Sequence, residues 1–272
     1  MRLITQFVAG SLIAFISSSA SVNAHTLGIM PTRTSVPEGR KTTVYMAWGH
    51  LLPVDEMVSG SDIETYRIHD PSGSKTDLKL EERSLQAHEL TLDKPGLHQI
   101  EAVRKTGVFT MVKKSDGKTA FLRVPKSEVK LEPGSSIARS MRSTMYAKTI
   151  VLCGDAEQGS GGALGHRLEI VPAEGQRKFL LDQPIRMQVL FEGKPLADAS
   201  VSATCVRTHS DGSSTVELKT DSEGRFEITA GDSGLWMFSV NHSKKATGED
   251  ANHFDQESIG ATLTIGVEAD SK

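Results

Sequence analysis

Thr42-Thr43-Val44-Tyr45-Met46-Ala47-Trp48 alternates with a period of two, and Ile63-Glu64-Thr65-Tyr66-Arg67-Ile68-His69 repeats the pattern. Successive side chains of an extended backbone point to opposite faces, so each stretch reads as a strand with one face buried. No long stretch carries a helical apolar period. Outward from this pair, Asp70-Pro71-Ser72-Gly73 supplies the turn that ends the second strand, and Asp93-Lys94-Pro95-Gly96 introduces the next, Leu97 to Val103. Val108 to Val112 and Thr119 to Val124 follow, with Ser115-Asp116-Gly117 as a hairpin turn between them. Residues 126–142 lapse into Lys, Ser, Glu and Pro-Gly and read as a connection. A second β-series fills residues 143–268: Thr144 to Cys153, His166 to Val171, Ile185 to Phe191, Ala199 to Arg207, Val216 to Lys219, Arg225 to Thr229, Leu235 to Val240 and Ile259 to Val267. The expected fold is all-β, with two immunoglobulin-like or prealbumin-like β-sandwich domains at 25–125 and 143–268.

Residues 1–24 read as a secretory signal peptide. Arg2 precedes an apolar run from Leu3 to Ile16, and a small-residue stretch leads to Val22-x-Ala24. Cleavage after Ala24 leaves His25 as the first residue; a rival cut after Ala20 leaves it internal. No later stretch is apolar for long enough to cross a membrane, so the mature chain is expected without a transmembrane segment, in a periplasm or secreted. The net charge of -3, with Lys and Arg scattered, argues against a nucleic-acid partner. Two cysteines, Cys153 and Cys205, sit in strand-like stretches. An oxidising compartment permits a bridge between them, and two buried free thiols are the alternative.

The chemistry concentrates at the amino terminus. A first-residue histidine offers an α-amine (pKa about 7.7 to 8.0) and an imidazole (about 6.5), which both bind metal near neutral pH at little proton cost. His50, after Trp48-Gly49, is the next candidate ligand and completes three nitrogens suited to Cu(II) or Ni(II) in tetragonal geometry. Asp55 or Met57, in the loop beyond, could add a hard carboxylate or a soft thioether, and His88 is a spare ligand. His69 reads as a strand terminus and His98 as a packed core histidine. His209 lies at a hairpin tip, and His242 and His253 flank a polar loop, Ser243 to Asn252. His166 follows Gly159 to Gly165, which reads as a flexible turn, and Asp221 and Glu223 read as turn residues, not a calcium site. No Gly-x-Ser-x-Gly elbow, His-Glu-x-x-His helix or phosphate-cradling loop is present, so hydrolase and nucleotide-binding readings find no support.

Leu168-Glu169-Ile170-Val171-Pro172, Phe191-Glu192-Gly193-Lys194-Pro195-Leu196, Thr220-Asp221-Ser222-Glu223-Gly224-Arg225-Phe226 and Gly234-Leu235-Trp236-Met237-Phe238 occur in that order. With Ala24-His25 and Gly49-His50, they resemble a secreted bacterial family, domain-of-unknown-function 4198, also called NikM-like. That resemblance implies a periplasmic transition-metal-binding accessory protein that assists nickel or cobalt uptake at a membrane transporter and is not an enzyme. The favoured ion is Ni2+ or Co2+, with copper possible. Two alternatives stay open: a copper histidine-brace protein, either carrier or monooxygenase-like enzyme, and a metal-free carbohydrate-binding or adhesion module. The 5% aromatic content argues against a flat aromatic polysaccharide-binding surface.

Overall fold

The computed structural model describes residues 25–269 apart from 83, 155–158, 160, 174 and 207–214. The expected signal peptide, 1–24, and the expected hairpin tip at His209 lie outside the described residues. Within them the regular secondary structure is nearly all strand, as the period-two stretches require. The first half holds β1 (Thr26–Pro31), β2 (Ser35–Val36), β3 (Arg40–Gly49), β4 (Ile63–His69), β5 (Lys75–Asp77), β6 (Ala87–Leu92), β7 (Gly96–Lys113), β8 (Thr119–Leu122) and β9 (Ser136–Cys153). The second holds β10 (Leu168–Pro172), β11 (Phe179–Leu180), β12 (Pro184–Phe191), β13 (Lys194–Pro195), β14 (Ser200–Val206), β15 (Thr215–Lys219), β16 (Arg225–Thr229), β17 (Gly234–Lys245) and β18 (Gln256–Glu268). Among the described residues, the α-helix is a single turn, Asp250–His253, and no helix is long and apolar enough to cross a membrane.

Three sheets form two stacked sandwiches. The first sheet runs β1-β3-β6, the central one β15-β14-β17-β18-β9-β7-β4-β5, and the third joins β10, β12, β13 and β16. Strand parity places the central sheet between the other two. Ile100, Ala102, Ala147 and Val151 point from β7 and β9 into a core with Leu27, Ile29, Val44 and Met46 of the first sheet. Leu97, Ile150 and Leu152 leave the opposite face and share a second core with Ile170, Ile185 and Val189 of the third. On β18 the hydroxyl of Thr262 donates to the Leu27 carbonyl at 2.7 Å, tying β1 to the central sheet.

The continuity of that sheet departs from the sequence reading. β9 pairs antiparallel with β7 and in parallel with β18, so the two cores lie on opposite faces of one sheet. The later part of the expected connection, from Ser136 to Arg142, is already strand. Its charges are what make it read as loop: Arg142 pairs with Asp250 and Glu257 at 3.1 Å each. Leu97 to Val103 and Val108 to Val112 belong to one strand, β7, with its register irregular between Arg104 and Gly107. The expected polar loop from Ser243 is strand as far as Lys245 and helical at Asp250–His253.

Cys153 and Cys205 are both free, because they face the two different cores across the central sheet. In the glycine-rich segment, Gly159 and Gly161 lie against Leu97. At Gly159, with φ +80°, a Cβ would stand 2.7 Å from the Leu97 carbonyl oxygen, so only glycine fits. Further on, the backbone N–H groups of Leu164, Gly165 and His166 all donate to the Glu169 carboxylate.

Candidate functional site

His25 leads into β1 and His50 follows β3. Thr26 pairs with Gly49 in the antiparallel register, so His25 and His50 are the next opposed pair outward and share one face. Their ring centroids lie 4.3 Å apart, tilted by 48°. His25 also stacks on Trp48, its diagonal neighbour, at 5.1 Å with 20° between planes. The Arg104 guanidinium covers the Trp48 ring at 5.0 Å and stands 5.6 Å from Phe109. Burial pulls Arg104 below its ordinary pKa, with the Asp62 charge opposing. Trp48 therefore contacts both a buried cation and an imidazole whose side chain is 38% exposed.

The loop after β3 returns to this group. Gly49 has φ +125°, and a Cβ there would fall 2.6 Å from Asp55 Oδ2, which accepts the His50 N–H at 2.9 Å. Glu56 donates its N–H to the Trp48 carbonyl at 2.9 Å. That bond sets the Glu56 carboxylate beside His25, with Nε2 and Oε1 3.0 Å apart.

Of the residues singled out from sequence, His25 and His50 come together. Asp55 is turned to the His50 backbone, where its carboxylate holds the turn. Met57 follows Glu56 and is 60% exposed. His88 is not part of the group. It pairs with Val44, five residues along β3 from Gly49, which is about 17 Å at the usual strand rise. Its Nε2 lies 2.6 Å from the Lys79 carbonyl and its ring packs edge-on to Tyr66. Sequence reasoning missed Glu56 and Arg104. A carboxylate in Val54-Asp55-Glu56-Met57 carries no local signal, and only the return of the loop onto Trp48 brings it to His25. Among the described residues, no three His, Cys, Asp or Glu side chains converge as metal ligands do.

A second polar group lies in the interior. Glu101 receives His69 Nε2 at 2.7 Å and His166 Nε2 at 2.6 Å, one on each carboxylate oxygen. Burial alone would raise its pKa. The hydrogen bonds from His166 and His69, with their charge, outweigh burial and hold it near 2. Beside it Lys148, 1% exposed, pairs with Glu169, 2% exposed, at 2.7 Å. Two carboxylates, one ammonium and two imidazoles thus link β4, β7, β9 and β10, which suits a structural tie. His98 is buried with Nε2 at the Lys94 carbonyl, His242 packs on Phe191, and His253 Nδ1 meets the Ser127 hydroxyl at 2.9 Å. Asp221 caps its own turn by accepting the N–H groups of Glu223 and Arg225.

The chain is similar to solved structures at low identity. Native Escherichia coli alpha-2-macroglobulin matches at 10% identity and a TM-score of 0.23, over 90% of this chain and 14% of that one. A Salmonella alpha-2-macroglobulin mutant matches at 11% and 0.19, over 89% and 24%. The three N-terminal domains of the bacteriophage RB49 Highly Immunogenic Outer Capsid protein match at 8% and 0.19, over 90% and 99%. The chain thus spans less than a third of the alpha-2-macroglobulin chains it matches. No curated protein matches. The model of a domain of unknown function, DUF4198, matches residues 22–244, well over half of the sequence, and the chain belongs to that family.

Proposed function

We propose that the mature chain begins at His25 and binds one transition-metal ion through the α-amine and imidazole of His25 and the imidazole of His50. The protein would act in the periplasm as an accessory to nickel or cobalt uptake, with a membrane metal-uptake transporter as its partner and no reaction of its own. The observation that carries this reading is the opposed histidine pair. A metal–nitrogen bond of about 2.0 to 2.1 Å plus the ring radius puts each centroid about 3.2 Å from an ion, so two imidazoles at right angles stand about 4.5 Å apart. The observed separation of 4.3 Å, with the rings tilted by 48°, is compatible with that figure. Transport rests on the resemblance to NikM-like proteins.

Isothermal titration of the mature protein with Ni(II), Co(II) and Cu(II), beside His25→Ala and His50→Ala, tests the site. One ion per chain, lost in both variants, is the expected result; equal affinity in the variants removes the site, and no binding at all favours an adhesion module. A copper-carrying role is the second reading, favoured by an all-nitrogen donor set. Cu(II) outbinds Ni(II) at most such sites, so affinity alone does not name the cargo. The metal recovered with protein from the periplasm does. Oxygen consumption with copper and reductant above that of free copper would show an enzyme instead.

A further inference from the structure

Glu56, like Arg104, is a residue at this site that no sequence pattern marks; its side chain is 52% exposed, and its backbone is anchored. Trp48 holds it from one side, through the hydrogen bond from the Glu56 N–H to the Trp48 carbonyl. The same tryptophan holds His25 through its ring, stacked at 5.1 Å. The carboxylate and the imidazole are therefore delivered to each other by a single residue, itself backed by Arg104. The resulting contact is 3.0 Å from Glu56 Oε1 to His25 Nε2.

An ionised carboxylate only accepts hydrogen bonds, and a neutral imidazole carries one proton on one of its two nitrogens. The contact with Oε1 requires that proton on Nε2, which leaves the lone pair on Nδ1. This matters because the two nitrogens differ in what they can reach. Nδ1 and the α-amine of the same residue close a six-membered ring around an ion, whereas Nε2 lies on the far side of the ring and cannot. From this we infer that Glu56 is a positioning residue: it selects the Nε2–H tautomer of His25 and so presents Nδ1 as the donor. A carboxylate on the remote nitrogen of a ligating histidine is a recurrent arrangement, whose removal costs about 10- to 100-fold in metal affinity. The purpose assigned here rests on the metal-binding reading above, but the tautomer itself does not.

Two measurements on the mature protein test it. The first needs no metal: nitrogen-15 NMR of the His25 ring in the wild type, Glu56→Gln and Glu56→Ala, at a pH where the ring is neutral. The proton is expected on Nε2 in the wild type and in Glu56→Gln, whose amide carbonyl still accepts, with a measurable Nδ1–H population in Glu56→Ala. A proton on Nδ1 in the wild type, or an identical tautomer distribution in all three proteins, overturns the inference. The second is titration with Ni(II) and Cu(II). Glu56→Gln is expected to stay within about threefold of wild type and Glu56→Ala to fall about 10- to 100-fold. If glutamine loses as much as alanine, the carboxylate is itself a ligand and the positioning role is wrong. If the tautomer follows Glu56 but the wild type binds no metal, the functional reading fails while the assignment of Glu56 stands.

Discussion

Replacing Lys148 with methionine removes one end of the ion pair that ties β9 to β10. The pair is 2.7 Å long and both residues are at most 2% exposed. Burial pulls the Lys148 ammonium below its ordinary pKa, against the pull of Glu169. Deleting one partner of such a pair typically costs about 3 to 5 kcal/mol, because the other charge is left in the interior. Here Glu169 keeps three backbone donors, from Leu164, Gly165 and His166, so Lys148→Met belongs at the low end, about 3 kcal/mol. Glu169→Leu should cost more, by about 1 to 3 kcal/mol, since it strands both the ammonium and those N–H groups. The double variant should cost less than the sum of the singles, as coupled neighbours do. Urea denaturation of the four proteins, followed by far-ultraviolet circular dichroism, reads all three quantities. A Lys148→Met loss under about 1 kcal/mol, or singles that simply add, would refute the reasoning.

Glu101 supplies an acid-side prediction. Its folded pKa, near 2, lies below the unfolded value of about 4.3, so its stabilisation is complete above the unfolded value and drains away as pH falls towards 2. Glu101→Gln should lower stability at pH 7 by about 3 kcal/mol and flatten the loss between about pH 4.3 and 2, read from denaturation midpoints across that range. Gly49→Ala would push Asp55 off the His50 N–H and force a strained φ, costing about 1 to 3 kcal/mol and weakening metal binding; an unchanged midpoint and affinity would contradict this. Both thiols are buried and free, and burial raises the Cys153 thiol pKa, so a thiol reagent should label neither in the native protein and both after unfolding.

Much of the fold was legible because strands announce themselves by a period of two. The stretches at Thr42 to Trp48, Ile63 to His69 and Arg225 to Thr229 each fall inside an observed strand. What local pattern could not carry was the pairing between halves. The parallel contact of β18 with β9 joins residues more than a hundred positions apart, and charges such as Arg142 disguise the start of β9 as loop. The two histidines were legible as candidates, since His25 stands at the expected cleavage junction and His50 follows the strand-like stretch that ends at Trp48. Their opposition depends on register, and the partner of His25, Glu56, depends on a loop folding back. His69 and His166 looked unremarkable for the same reason: the carboxylate that unites them, Glu101, sits on a third segment.

The central claim is that the amino group of His25 and two imidazoles act on one ion. It is tested most directly by titrating Ni(II) and Cu(II) into two chains, one starting at His25 and one carrying a short glycine-serine extension ahead of it. Both imidazoles are intact in each, and only the α-amine is displaced. The account predicts one ion per chain for the first and an affinity at least about tenfold weaker, or 1.4 kcal/mol, for the second. Equal affinities in the two chains would contradict it.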